Sequence, residues 1–374
     1  MNQRLVMAKA LLFISSIFLA PTVWAENEPK AAQTACTYSP CTGKAYPQNV
    51  YWGDTHVHTV LSLDASMWGG NYNLGPEEAY RFAMGEKLPA HNGMDAQLVR
   101  PLDFLVVADH AEWIGTIWRA LHPDAEVLAN DKLKRLSELA LSGGMMSLAE
   151  IIDTWRGIHE SAYDDASRRP PWDSIISAAE KYNNPGKFTA FIGYEWTSAP
   201  TGNNLHRNVI FADGADKAGQ IMPFSAVDSD NPEDLWEFMA NYEESTGGRV
   251  LAIPHNANLS NGMMFQLTDF AGNPIDKDYA ETRSRWEPLI EVTQIKGDAE
   301  ANPFLSAKDE FADYETWDKL SMGGIPKEPW MLKHEYARSA LKLGLQLEEQ
   351  TGANPYDFGM IGSSDSHTSF AAVA

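Results

Sequence analysis

The chain has 374 residues, with 51 Asp and Glu against 29 Lys and Arg, for a formal net charge of −22. That length is ample for one large core or two ordinary domains, and no run of Lys or Arg is long enough to track a phosphate backbone, which argues against nucleic-acid binding. An acidic protein that acts on an anionic substrate must offset its own field locally, with metal ions or isolated basic side chains.

Residues 1–25 read as a secretory signal. Arg4 and Lys9 give a positive start, Ala10 to Leu19 is apolar apart from two serines, and Val23-Trp24-Ala25 offers a small-residue cleavage site after Ala25. The apolar run is short for a membrane span. The expectation is a periplasmic or secreted protein with no stable membrane span once the signal is cut. Residues 26–48 lack any clear period and read as an exposed arm. The two cysteines, Cys36 and Cys41, lie in this arm and are expected to close a small loop in an oxidising compartment.

From residue 49 onward short apolar runs alternate with helical stretches. The strand candidates are Val50–Trp52, Phe104–Ala108, Phe188–Gly193, Asn208–Phe211, Val250–Ile253, Leu289–Val292 and Met360–Gly362. Continuous runs of this length suit strands buried on both faces. Helices are predicted over Pro76–Gly85, Asp124–Leu141, Ser147–Ser161, Trp172–Tyr182, Pro232–Thr246 and Trp330–Thr351. The stretch of about 113–170 exceeds a minimal strand–helix unit and reads as a helical insertion. Alternation of this kind predicts an α/β fold with a parallel sheet, closed into a barrel whose chemistry gathers at the strand C-termini. No helix follows the last strand candidate, so the chain reads as a piece of a longer protein.

The polar residues at these strand ends form a series. Gly53-Asp-Thr-His56-Val-His58 places two imidazoles on one face of a strand, as a chelating pair requires. Asp64 follows within reach of a neighbouring ion. Then come Asp109-His110-Ala-Glu112-Trp113, Gly193-Tyr-Glu195, Asn204-Leu-His206-Arg207-Asn208, Pro254-His255-Asn256 and Asp365-Ser-His367. A carboxylate ending a buried strand is costly unless paired or metal-bound, and Glu195 has two oxygens with which to bridge two cations. Taken singly, each residue is also what a hydrogen-bonded strand-end side chain looks like. Together, six His, two Asp and one Glu would make a large uncompensated polar cluster without metal. Mixed imidazole and carboxylate donors suit Zn, Mn or Fe.

The order His-x-His, Asp-His, Gly-x-Glu, His, Pro-His, Asp-x-His resembles the polymerase and histidinol phosphatase (PHP) superfamily. Within it, Tyr51-Trp-Gly-Asp-Thr-His-Val-His58 and Asp103-Phe-Leu-Val-Val-Ala-Asp-His110 are similar to the DUF3604 group. The resemblance runs from about Val50 to Phe370. It implies a distorted seven-stranded (β/α)7 TIM-like barrel of PHP type over 49–374, holding two or three divalent metal ions. By motif, His56 and His58 would take one ion with Glu195 and Asp365. Glu195 would bridge to a second, held by His206 and His255, and a third would lie between Asp64, His110 and His367. At Asp64 many members of the superfamily have His instead.

The expected activity is hydrolysis of a phosphoester on a small anionic substrate by metal-activated water. Glu195, Asp365, Asp109 and Arg207 are the candidate catalytic residues. Arg207, Asn256, Lys296 and Trp113 are the candidate substrate contacts. Asp109 and Glu112 also suit a place behind the ligands, orienting them. Two alternatives stand beside this. One is an amidohydrolase-type C–N or carboxylic ester hydrolase, in which a lysine would usually bridge the metals. The other is a non-catalytic metal- or ligand-binding protein of the cell envelope.

Overall fold

The computed structural model describes residues 49–67, 69–123, 128–129, 131–141 and 165–371. The expected signal, the arm with Cys36 and Cys41, and the helix expected over 147–161 lie outside these residues. The chain divides into two units, and every strand and helix of the described residues belongs to the one comprising Tyr51–Ala374.

Seven principal strands form: β1 (Gly53–Val57), β2 (Phe104–Val107), β3 (Thr189–Trp196), β4 (Arg207–Phe211), β5 (Val250–Pro254), β6 (Leu289–Gln294) and β7 (Gly359–Gly362). Six coincide with the apolar runs of the sequence. The first is displaced: Val50, Tyr51 and Trp52 are exposed, and the strand starts at Gly53, where pairing with Phe104 begins. A side chain at Gly53 would run into the Phe104 ring, so only glycine can open this strand.

The strands β1-β2-β3-β4-β5 form one curled sheet, and β7, β6 and the short strand Gly297–Asp298 form a second. The expectation of a wholly parallel sheet needs correction. The pairs β1/β2, β2/β3 and β6/β7 are parallel, but β4 runs antiparallel to both β3 and β5. The cause is the connection. A parallel crossover needs a dozen or more residues, usually a helix, whereas 197–206 holds only the 3-10 turn Pro200–Gly202. The reversal puts the N-terminal end of β4 beside the C-terminal ends of its neighbours.

Helices cover both sheets. Pro232–Thr246 follows the sequence signals closely: Asn231 caps it by accepting the Glu233 N–H, proline opens it, and Gly247 ends it in the left-handed region at φ 65°. The helix expected over 330–351 is instead two, Pro329–Leu332 and Ala337–Thr351. Between them the buried Glu335 carboxylate pairs with Lys327 and accepts the Gly262 N–H. The helix Lys277–Trp286, which its low apolar content hides, is capped by Asp276. In the insertion, Thr116–Leu121, Asp131–Leu141 and Asp165–Tyr182 are helical.

The larger core lies between the five-stranded sheet and the helices Pro76–Ala83, Asp165–Tyr182 and Pro232–Thr246, filled by Tyr80, Trp172, Tyr194, Phe211 and Trp236. A second core packs β6 against Ala337–Thr351 through Phe265, Ile290 and Tyr356. Gly193 marks a second close strand contact. A Cβ there would lie 2.6 Å from Val106 and 2.9 Å from the Val209 carbonyl, so β2, β3 and β4 close up two residues before Glu195. Among the described residues no helix is long and apolar enough to cross a membrane.

Candidate metal centre

The nine predicted ligands meet at one end of the sheets. His56 lies on β1 and His58 just past its end, where its N–H donates to the Ser366 carbonyl at 2.8 Å, joining the first strand to the turn after the last. Asp365 sits in that turn with φ 51°, a left-handed conformation that a non-glycine residue adopts under constraint. His110 follows β2 and is bridged directly to Glu195 of β3. His255 follows β5. His206 precedes β4, and only because β4 is reversed does it reach the same end.

The donor atoms form three groups. In the first, His56 Nε2 and His58 Nε2 are 3.0 Å apart. Glu195 Oε2 is 3.5 and 3.2 Å from them, and Asp365 Oδ1 is 3.4 and 3.2 Å away. A tetrahedral ion with bonds of 2.0–2.1 Å separates its donors by about 3.3–3.4 Å, so His56, His58 and Glu195 fit one small cation, with Asp365 beside both imidazoles. Glu195 Oε2 and Asp365 Oδ1 are buried with no hydrogen-bond partner, a costly state for two carboxylate oxygens unless a cation takes them. In the second group, Glu195 Oε1 is 2.8 Å from His206 Nδ1 and 2.9 Å from His255 Nε2. In the third, Asp64 Oδ2 is 3.1 Å from His110 Nε2 and 2.9 Å from His367 Nε2, with His58 alongside. Glu195 thus divides its two oxygens between two imidazole groups.

Partners behind the ligands fix their orientation. His56 turns its Nδ1 to Glu291, 3.1 Å away on β6. His58 Nδ1 is 2.8 Å from Ser62 Oγ, which donates to Asp109. His110 Nδ1 faces Thr197 Oγ1 at 2.6 Å. Glu291 escaped the sequence reading, although an acid inside the apolar run Leu289–Val292 was a visible signal. A carboxylate behind a ligating imidazole typically contributes 10–100-fold to metal affinity. Glu291→Gln is therefore expected to weaken metal binding by about that factor, read by chelator competition; an unchanged affinity would show that Glu291 only fills the strand.

The electrostatics follow from this crowding. Burial pushes the His56 imidazole down, but Asp365 and Glu291 outweigh it and hold it well above its usual value. Burial likewise opposes the charge on His110, and Asp64 and Glu195 overcome it. Burial also raises the Glu195 carboxyl, yet His110, His255 and His206 hold it well below the ordinary range. Burial and His56 hold His255 low.

A cavity of about 480 Å³ opens beside the centre, touching Asp64, His110, His206, Lys296, Trp113 and Met322. Lys296 and Trp113, the expected substrate contacts, both line it, and Lys296 Nζ is bonded to Asp365 Oδ2. Other expectations need correction. Arg207 points the opposite way from His206, as alternation along a strand requires. It is buried against Glu287, 3.0 Å away, and over the Trp196 ring, so it touches neither the centre nor the cavity. Asp109 is also off the reacting face: it accepts the Thr59 N–H, the Thr59 hydroxyl and the Ser62 hydroxyl, and acts on His58 only through Ser62. Asn256 is buried in the left-handed region at the start of the turn Ala257–Leu259 and does not line the cavity. Met264 and Phe265 lie in the second core.

A family profile described as protein of unknown function (DUF3604) matches residues 45–374. No curated protein matches the chain. Among solved structures, the chain is similar to one from Bifidobacterium adolescentis, provisionally described as a metal-dependent phosphoesterase, at 11% identity and a TM-score of 0.30. The similarity covers 86% of this chain and 89% of that one.

Proposed function

The chain belongs to the DUF3604 family, and we propose from the geometry of its centre that it is a metal-dependent hydrolase acting on a phosphoester. The observation that carries this is the division of Glu195, one oxygen toward His56 and His58 and the other toward His206 and His255. That is the arrangement of a carboxylate shared by two cations. Divalent ions held there supply Lewis-acid charge and an acidified water. The chain's own residues do the rest. His56, His58, Asp365, His206 and His255 hold the ions, Asp64 with His110 and His367 offers a third place, and Lys296 adds positive charge at the cavity wall for an anionic ester.

The amidohydrolase alternative is less well supported. Its bridging lysine has no counterpart here, because Lys296 pairs with Asp365 and the shared position belongs to Glu195. The reading keeps the PHP-like barrel. It is supported by the Val57–Ser366 bridge, which joins the end of β1 to the turn after β7. It also keeps export from the cytoplasm, supported by the composition of residues 1–25.

The test is turnover of a chromogenic phosphomonoester, phosphodiester and carboxylic ester, with metal content measured in parallel. Chelator-sensitive cleavage of a phosphate ester is the expected result. Metal present with no cleavage of either phosphate ester overturns the assignment.

A second expectation concerns protons. Metal ligands bind as neutral imidazoles, whereas carboxylates hold His56 and His110 well above their usual value. In chelator-stripped protein these two rings therefore favour the charged form, and adding metal is expected to release protons. Affinity therefore falls as pH falls. Calorimetry in buffers of different ionisation enthalpy reads the number directly; a heat independent of buffer would show that the rings were already neutral.

A further inference from the structure

The wall of the cavity carries a charge pattern that ester cleavage leaves unused. Asp64, Glu112 and Asp230 line it, against Lys296 as its only lysine or arginine among the described residues. Asp64 is engaged with His110 and His367, and Lys296 with Asp365. Glu112 differs from these. It is 6% exposed, and its Oε1 accepts the backbone N–H of Thr197 at 3.2 Å and of Ala226 at 2.5 Å. Its Oε2 is buried without a hydrogen-bond partner. A half-satisfied buried carboxylate bears the desolvation cost of the unmatched oxygen, and a ligand that brings a donor removes that cost. Trp113, the next residue, lines the same cavity and offers an aromatic face to an alkyl or cationic group. The volume, about 480 Å³, suits a small molecule.

Resting on the reading that the centre holds an anionic ester, we propose that the organic part of the substrate is a short aminoalkyl group, and that Glu112 selects it by binding its ammonium. The excess of carboxylates on the wall favours a cation there over a neutral donor. The anionic end lies toward the imidazoles and Lys296, and the ammonium lies toward Glu112 and Trp113. Substrates bearing a second negative charge in place of the amine are rejected by Glu112 and Asp230.

The experiment compares two anions of nearly equal size, 2-aminoethylphosphonate and propylphosphonate, by calorimetry on the zinc-loaded protein. A charge-assisted hydrogen bond predicts that the amine is bound at least about tenfold more tightly. Glu112→Gln keeps an oxygen for the Thr197 and Ala226 N–H groups but turns an N–H toward the ligand, and the ratio is expected to fall to within about threefold of unity. Glu112→Asp, which keeps the charge on a shorter arm, should give an intermediate ratio. Equal affinities in the unaltered protein overturn the proposal without reference to any variant. So does a Gln variant that weakens both ligands alike, since Glu112 would then only clip the two loops together. Binding without preference refutes the amine alone, whereas no binding of either phosphonate refutes the anion reading and the amine with it.

Discussion

Glu195→Gln is expected to leave a folded protein that has lost most of its metal and all measurable turnover. The amide keeps one oxygen and loses the charge that lets one side chain serve two imidazole groups. Partners that merely orient a ligand already contribute 10–100-fold to metal affinity, so removing the shared ligand should cost at least about 100-fold. Metal content after dialysis and chelator competition measure it. If the variant keeps its full complement of metal, the carboxylate does not bridge.

Arg207→Met is expected to do the reverse: it should destabilise the fold and spare the metal. Burial pushes the Glu287 carboxyl up, but Arg207 and Arg283 hold it below its ordinary value. Removing one partner of a buried pair typically costs about 3–5 kcal/mol, with Arg283 keeping the loss toward the lower figure. The sign of the pH dependence follows. A carboxyl lowered on folding stabilises the protein above its unfolded value near 4.3, and that contribution disappears as pH falls toward the folded value. Urea unfolding at pH 7 and pH 4 should show the gap between Arg207→Met and the unaltered protein narrowing at the lower pH. A raised KM with unchanged stability would instead return Arg207 to the cavity.

The contrast between these two residues shows what the sequence made legible. Glu195 was readable because a charge ending an apolar run must find a partner, and the structure supplies imidazoles on both sides. Arg207 misled because proximity to His206 suggested a shared task, whereas neighbours on a strand face opposite sides. Asp109 misled similarly: its motif is intact, but it reaches the centre only through Ser62. The strands were legible from their apolar runs. The direction of β4 was not, because direction depends on the connection, and 197–206 had no helical pattern that would have prompted the question. Glu291 stood in plain view inside a strand; what hid it was the assumption that chemistry sits only at strand ends.

The junction between His58 and Ser366 has a consequence for when the metal can be taken up. Asp64 and His367 are 303 positions apart, yet their side chains touch. Ions held there would therefore tie the beginning of this unit to its end, closing a very long loop whose entropic cost must be met before the groups that include Asp365 or His367 are complete. Until the last strand docks, the chain lacks Asp365 and His367, although Glu195, His206 and His255 are already in place. If the protein is exported unfolded, its metal is then fixed by the compartment in which folding finishes, and the ion recovered from protein made in the cytoplasm need not be the one it works with.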